Sequence, residues 1–559
     1  MARGLRPNEL VDLLNFGRDS DLSSLSSDEE IVEDTENQFA SEDEQFEPIE
    51  QQILINNDIL NEQPLNLTAY NKKKKRNIIW GKTPFSPQVI NLTPITEPIY
   101  PTTIPNPIDY FSKYFCENDF ADMAQYTNLY SEQKNLNNFN KTDSAEMKIM
   151  IAIHMLFGVL NYTRSRMYWE NKYRINIIAN NISRNRFFQL RNCFHVIDNE
   201  SVSNDNRDKF VKIRPLYNSF IKRCSELPKE KNLCIDEQII PFKGNLSIQQ
   251  YIKGKPTPWG IKIFLLCGQS GIVYNSLLYQ GSNTNINDFM QKNYGLGGAV
   301  VLKLVENLKP NSHNLFFDNF FSSYNLFGCL LKYKIFAIGT IRCNRFCNPP
   351  FPKDKELAKM GRGTSFEVSS NHNITLVKWF DNKAVNIGSN FIASGIPIQV
   401  KRFDRKEKCS VIIECPEIIN LYNKNMGGVD KHDQLVSYYR TFIKSKKWTL
   451  RMMFHIFDMA VVNCWLEYKR DAAELSIEPK DVMDWLHFKR RLGESLISVG
   501  VPFSPSSKKR GRPSNSPSII NPRKKLVKKV DEKPLEEVKK DSYGHFPEYD
   551  DRTEAEMFD

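Results

Sequence analysis

The chain has 559 residues, 40% hydrophobic and 12% aromatic, with 76 Lys or Arg against 66 Asp or Glu for a formal charge of +10. That apolar content excludes a wholly disordered chain, and at about 150 residues per domain the length allows three or four domains. The charge is unevenly spread: residues 1–50 hold three basic and fifteen acidic residues, net −12, leaving +22 on a body suited to polyanions.

No apolar run reaches the eighteen or more residues of a membrane span, and the N-terminus lacks a signal peptide's apolar core, so a soluble, intracellular chain is expected. Eleven cysteines, mostly isolated, read as reduced thiols rather than a disulfide framework. Cys343 with Cys347 and Cys409 with Cys415 form two loose pairs, but no His follows at zinc-finger spacing.

Residues 1–105 read as a disordered acidic arm and linker, with a basic run from Lys72 to Arg76 and seven prolines in residues 83–111. From 107 to 231, apolar residues recur at three- and four-residue spacing, as in 145–162 and 183–197, which predicts a helical domain. The runs NLCIDEQII, WGIKIFLLCG and SGIVYNSLLY then predict an antiparallel meander of three strands. A helix over 295–308, a strand over 313–320, a helix from Ser322 and a fifth strand FAIGTIR complete the order of an RNase H-like core over 232–342. Residues 343–415 turn Pro-, Lys- and Asn-rich, with strands in NITLVKWFD and KAVNIGS, and read as an inserted subdomain. Helices resume over 416–445, the last part of the core, and 446–500, a second helical part. Residues 501–559 form a tail, with nine Lys or Arg and no acidic residue between Ser507 and Val530.

Asp236 interrupts an apolar strand and Asp318 ends another. A buried carboxylate costs several kcal/mol unless it has a partner or a metal. In the RNase H-like order these strands are neighbours, so the two carboxylates face one another, an arrangement that suits two Mg²⁺ ions about 4 Å apart for phosphoryl transfer. Asp430 follows a Gly-Gly turn at a helix start and Asp433 lies three residues on, on the same face. Asp430 reads equally as an N-cap and Asp318 as a cap of the next helix. Glu237 points to the side opposite Asp236.

The strings CIDEQIIPFKG, KPTPWGIKIF, LFFDNFFSS, KWFDNKAV and YNKNMGGVDKHDQ, in this order, resemble the piggyBac family of DNA transposases and their domesticated derivatives, over about residues 107–470. The resemblance implies an α/β fold. It comprises an RNase H-like catalytic core, a mixed five-stranded sheet with helices interrupted by an insertion, an all-α dimerisation and DNA-binding domain built from both flanks, and disordered tails. It further implies Asp236, Asp318 and Asp430 as catalytic aspartates, these with Asp433 as ligands of two Mg²⁺ (Mn²⁺ as substitute), a homodimer, and cleavage and joining of double-stranded DNA at TTAA. Many members end in a cysteine-rich zinc-binding domain that recognises transposon termini. No cysteine follows Cys464, so recognition of the termini is either lost or transferred to the basic tail. The runner-up is a domesticated protein that binds DNA or chromatin without cutting, and a third reading is a nuclease using the same core.

Phosphate contacts need Lys or Arg on a surface that tracks the backbone. Candidates are Lys243, Lys253, Lys255, Lys262, Lys444, Lys446 and Lys447, with Arg164, Arg166, Arg184 and Arg186 in the first helical part; any one of them reads more readily as a solvated surface charge. Trp259 and Trp448 read as core or hinge packing. In the tail, Arg510 and Arg512 flank Gly511 in an AT-hook-like core suited to a narrow minor groove. The same run serves equally as a nuclear import signal, so a nuclear location is expected.

Overall fold

The computed structural model of the protein describes residues 78–81, 85–87, 100–252, 258–404 and 408–500. The acidic arm, most of the proline-rich linker, Lys253, Lys255, Arg510 and Arg512 lie outside these residues. After a two-residue strand β1 (Trp80–Gly81), six helices follow: α1 (Pro107–Phe111), α2 (Glu117–Gln133), α3 (Ser144–Leu160), α4 (Asn176–Ala179), α5 (Arg184–Cys193) and α6 (Arg214–Glu226). Helix α3 is apolar almost all round and buried from Met147 to Gly158; it starts at Asp143, whose carboxylate accepts from Glu146 N at 2.8 Å, and stops at left-handed Asn161.

The core follows: β2 (Asn232–Pro241), β3 (Gln249–Tyr251), β4 (Trp259–Gly268), β5 (Val273–Leu278), α7 (Asp288–Leu304), β6 (Asn314–Phe317), α8 (Tyr324–Lys332) and β7 (Phe336–Thr340). Strand β2 is antiparallel to β4 and parallel to β6, and β6 is parallel to β7. Both β3 and β5 pair with β4. The expected three-strand meander and the two strands after it are therefore present, with the short β3 added. Helix α7 begins seven residues before the expected Gly295, where it breaks at φ 74°.

The next stretch differs from the expected separate subdomain. After α9 (Asp354–Met360), strands β8 (Ser365–Ser370), β9 (Thr375–Phe380) and β10 (Ala384–Ser389) continue the core sheet. Strand β10 pairs antiparallel with β7, and β1 closes the far side on β8. An uncovered β7 would present an open row of backbone donors and acceptors, and β10 supplies their partners. The sheet thus has ten strands among the described residues. Only the hairpin β11 (Ile398–Asp404) and β12 (Cys409–Cys415) forms a sheet of its own.

Four helices end the fold: α10 (Glu417–Asn425), α11 (Gly428–Tyr438), α12 (Trp448–Glu474) and α13 (Trp485–Gly500). Helix α13 returns to lie along α3, where a side chain on Gly500 would come 2.6 Å from Ala145 O. Helix α12 is buried over most of its length and packs on α1 and α6, so helices from both flanks of the sheet share one core. None of the described helices is long and apolar enough to cross a membrane.

Candidate active site

The parallel pairing of β2 and β6 ends at Ile235 opposite Phe317. Asp236 is the next residue of β2 and Asp318 the first residue after β6, so each follows directly on the last pair. The Asp236 carboxylate accepts from Glu237 N at 2.8 Å. Burial first, then the adjoining Glu237, push the Asp236 carboxyl up to about 7, with the charges of Asp318 and Asp430 adding to the rise. Asp318 caps a turn, its carboxylate accepting from Phe320 N at 2.8 Å, while its carbonyl accepts from Ser322 Oγ at 3.1 Å.

The third carboxylate arrives because Gly428 lets α11 lie directly on the sheet. A Cβ there would stand 2.2 Å from Gly268 O and 2.7 Å from Cys234 Sγ, and Cys234 shares the strand face of Asp236. Buried His432 ties the same helix to the β4–β5 turn through Nδ1, 2.9 Å from Gly271 O. Asp430, itself exposed, sits in the first turn of α11 behind a cap formed by Gly427, so it is not the N-cap.

Asp433, expected as a further metal ligand, has protein partners here. Gln238 Nε2 donates to its Oδ1 at 3.0 Å, and Arg440 Nη2 lies 3.5 Å from the same oxygen. Among the described residues no three His, Cys, Asp or Glu side chains form a group ready to hold a metal ion. Four carboxylates repel one another, and Asp433 already has protein partners. Donor chemistry nonetheless fits a divalent cation at Asp236, Asp318 and Asp430, which offer hard carboxylate oxygens.

The sequence reading missed two arginines. Arg345 Nη1 donates to Asn319 O at 2.9 Å and Phe320 O at 2.8 Å, Arg342 Nε donates to Asn319 Oδ1 at 2.8 Å, and Arg345 feels the charge of Asp318. Residues just past neighbouring parallel strands converge, so RCNR after FAIGTI carried the signal. Tyr422 on α10 is a second omission; burial pushes its hydroxyl pKa up, in the field of Asp318 and Asp236.

The expected phosphate contacts divide. Lys262 lies on the Glu237 side of the sheet, its side chain 12% exposed, with Nζ 3.9 Å from Glu237 Oε2 and 4.7 Å from the Phe320 ring centre, so it is no open phosphate contact. Lys243 is exposed after β2. Lys444 and Lys447 lie against the helical part, donating to Thr163 O and Asn192 O at 3.2 Å each, with Lys446 exposed between them. Asn192 lines a groove with Arg166, Arg184 and Phe188, whereas Arg186 is bound to Glu146 through two hydrogen bonds. Trp259, expected in core or hinge packing, is 46% exposed and tilted against Tyr251, because it lies beyond the last β2 pairing.

A family profile described as Transposase IS4 matches residues 106–465. The human PiggyBac transposable element-derived protein 3 is 30% identical over 422 residues, covering 74% of this chain and 68% of that protein. Human PiggyBac transposable element-derived protein 2 is 30% identical over 371 residues, 64% of this chain and 61% of that one. Among solved structures, a piggyBac transposase synaptic complex with hairpin DNA aligns with a TM-score of 0.61 at 24% identity, covering 71% of this chain and 81% of the other, a likeness of fold.

Proposed function

The chain belongs to the piggyBac transposase family, and we propose that it is a metal-dependent transposase that cleaves DNA at transposon ends and joins the freed ends to TTAA targets. The observation that carries this reading is the register of β2 and β6, which ends at Ile235 opposite Phe317 and so puts Asp236 beside Asp318, with Asp430 close enough for its charge to act on the Asp236 carboxyl. Transposases of the DDE type use divalent metal ions. Two Mg²⁺ ions, or Mn²⁺ in their place, would be held by Asp236, Asp318 and Asp430 and would supply activation of the attacking oxygen and stabilisation of the leaving one.

The chain's own residues contribute the rest. Asp236, in its half-buried place, would release its proton to solvent in order to serve as a ligand. Arg345 braces the Asp318 turn through its carbonyls, and exposed Arg342 beside it offers a cation to a phosphate backbone. Lys446 with Arg166 and Arg184 offers a second basic surface for the duplex. The protein acts in the nucleus as a homodimer on double-stranded DNA, a reading supported by the basic tail and the family resemblance.

An excision assay on a plasmid carrying the flanking inverted repeats tests it: wild type with Mg²⁺ releases the segment and Asp318→Ala does not. Equal activity of the two, or none from wild type, defeats the enzymatic reading. The second reading, a DNA-binding protein that keeps the fold without cutting, is favoured by the names of the two human relatives, both element-derived proteins. Wild type that shifts DNA in a gel yet cuts nothing selects it.

A further inference from the structure

Gln238 lies two residues along β2 from Asp236, so both side chains leave the same face of the sheet. It is 1% exposed, and a buried amide of this kind costs free energy unless both its ends are bonded. Its Oε1 stands 3.0 Å from Nε2 of His455 on α12, and its Nε2 donates to Asp433 on α11 at 3.0 Å. His455 is 4% exposed, and its Nδ1 has no hydrogen-bond partner, which leaves the single ring proton on Nε2 and aimed at Gln238.

These bonds run in one direction, from the imidazole N–H to the amide oxygen and from the amide N–H to the carboxylate. Reversing the amide sets N–H against N–H and oxygen against carboxylate, so the array admits one orientation. Three elements therefore meet at one amide: the strand of Asp236, the helix of Asp430 and the longest helix of the bundle. An apolar contact would hold α11 down but leave it free to slide; directional bonds set its position along β2.

We infer that Gln238 and His455 are positioning residues, a relay from α12 through β2 to Asp433 that sets where α11 carries Asp430 over Asp236. The inference rests on the reading of Asp236, Asp318 and Asp430 as holders of a divalent cation. With the relay intact α11 is already set along β2, so an incoming cation has only to draw the three carboxylates together. Without it, cation binding must also order α11, and apparent affinity falls.

The test uses the full-length protein and Mn²⁺ alone as probe, reading the Mn²⁺ concentration that half-saturates the rise in melting temperature. The Mn²⁺ concentration for half-maximal DNA cleavage is read in parallel. His455→Ala and Gln238→Glu are expected to raise both concentrations at least fivefold, and His455→Gln, which restores an N–H donor, to recover most of the loss. A helper of stability alone lowers the melting temperature in EDTA and leaves the half-saturating Mn²⁺ unmoved, and that result overturns the inference. If His455→Ala does not fold, the isosteric Gln238→Glu decides by the same criterion. Wild type that neither binds Mn²⁺ nor cuts defeats the metal reading and the inference with it; wild type that binds while both variants bind equally well defeats the inference alone.

Discussion

Asp236 on β2 and Asp318, the first residue past the parallel neighbour β6, each follow directly on the paired Ile235 and Phe317. The sheet's register alone brings them together, before any helix is placed. Asp236 then holds its proton up to about 7 against 3.8 for an ordinary aspartate, through burial first and neighbouring carboxylates next. Between those values the folded chain binds more protons than the unfolded one, so stability falls as pH rises from about 4 to 7 and stays low above. Asp236→Asn removes that cost. In EDTA at pH 8 it is expected to be more stable than wild type by about 2–4 kcal/mol, a gain absent at pH 4, while cleavage is lost. Urea denaturation at the two pH values checks it; an Asn variant less stable than wild type at pH 8 refutes it.

Much of this was legible in the sequence. Asp236 shows as a charge inside LCIDEQII, and the five-strand order follows from alternating strand and helix periods. What stayed hidden depends on partners far away in the chain. Nothing local to residues 365–389 says that their strands extend the core sheet, because that follows from the exposed edge of β7. Asp433 reads as an equal of Asp430 three residues before it, and only the approach of Gln238 and Arg440 separates them. Lys262 looks like any surface lysine until Phe320 folds over it.

His154 is buried on α3, its Nδ1 2.9 Å from Met150 O and its ring against Phe454. Burial, with Arg191 nearby, pushes its pKa down to about 3 from 6.5. The unfolded chain takes up that proton first, so stability is full above pH 6.5 and is lost as pH falls towards 3. On going from pH 7 to 5, wild type is expected to lose about 2 kcal/mol more than His154→Gln. Parallel losses in the two proteins would refute the assignment.

Lys489 and Asp458 form an ion pair at 2.6 Å with side chains 1% and 3% exposed, joining α13 to α12. Asp458 also accepts from Thr441 N at 2.8 Å, and Lys489 donates to Tyr439 O at 2.6 Å, so the pair anchors the chain as it leaves α11. Breaking it leaves one charge buried alone. Lys489→Met is expected to cost about 3–5 kcal/mol, and Lys489→Met with Asp458→Leu less than the single change. Thermal melts of the two variants give the comparison, and a double variant worse than the single one contradicts it.

Gly427 and Gly428 are adjacent, yet their surroundings differ completely. A Cβ on Gly427 meets nothing within 4 Å, at an ordinary φ of −79°, while on Gly428 it would strike Gly268 O at 2.2 Å and Cys234 Sγ at 2.7 Å. Backbone oxygen cannot step aside as a flexible side-chain end can, so the start of α11 must lift from β2 and β4. Gly428→Ala is therefore expected to cost about 2 kcal/mol or more, and Gly427→Ala about 1 kcal/mol or less. Because the lift carries Asp430 away from Asp236, Gly428→Ala is also expected to lower the pH at which Asp236 titrates. Monitoring that carboxyl by NMR in the two variants separates displacement of α11 from general loss of stability: a titration unchanged in Gly428→Ala means that Asp430 reaches Asp236 by another route.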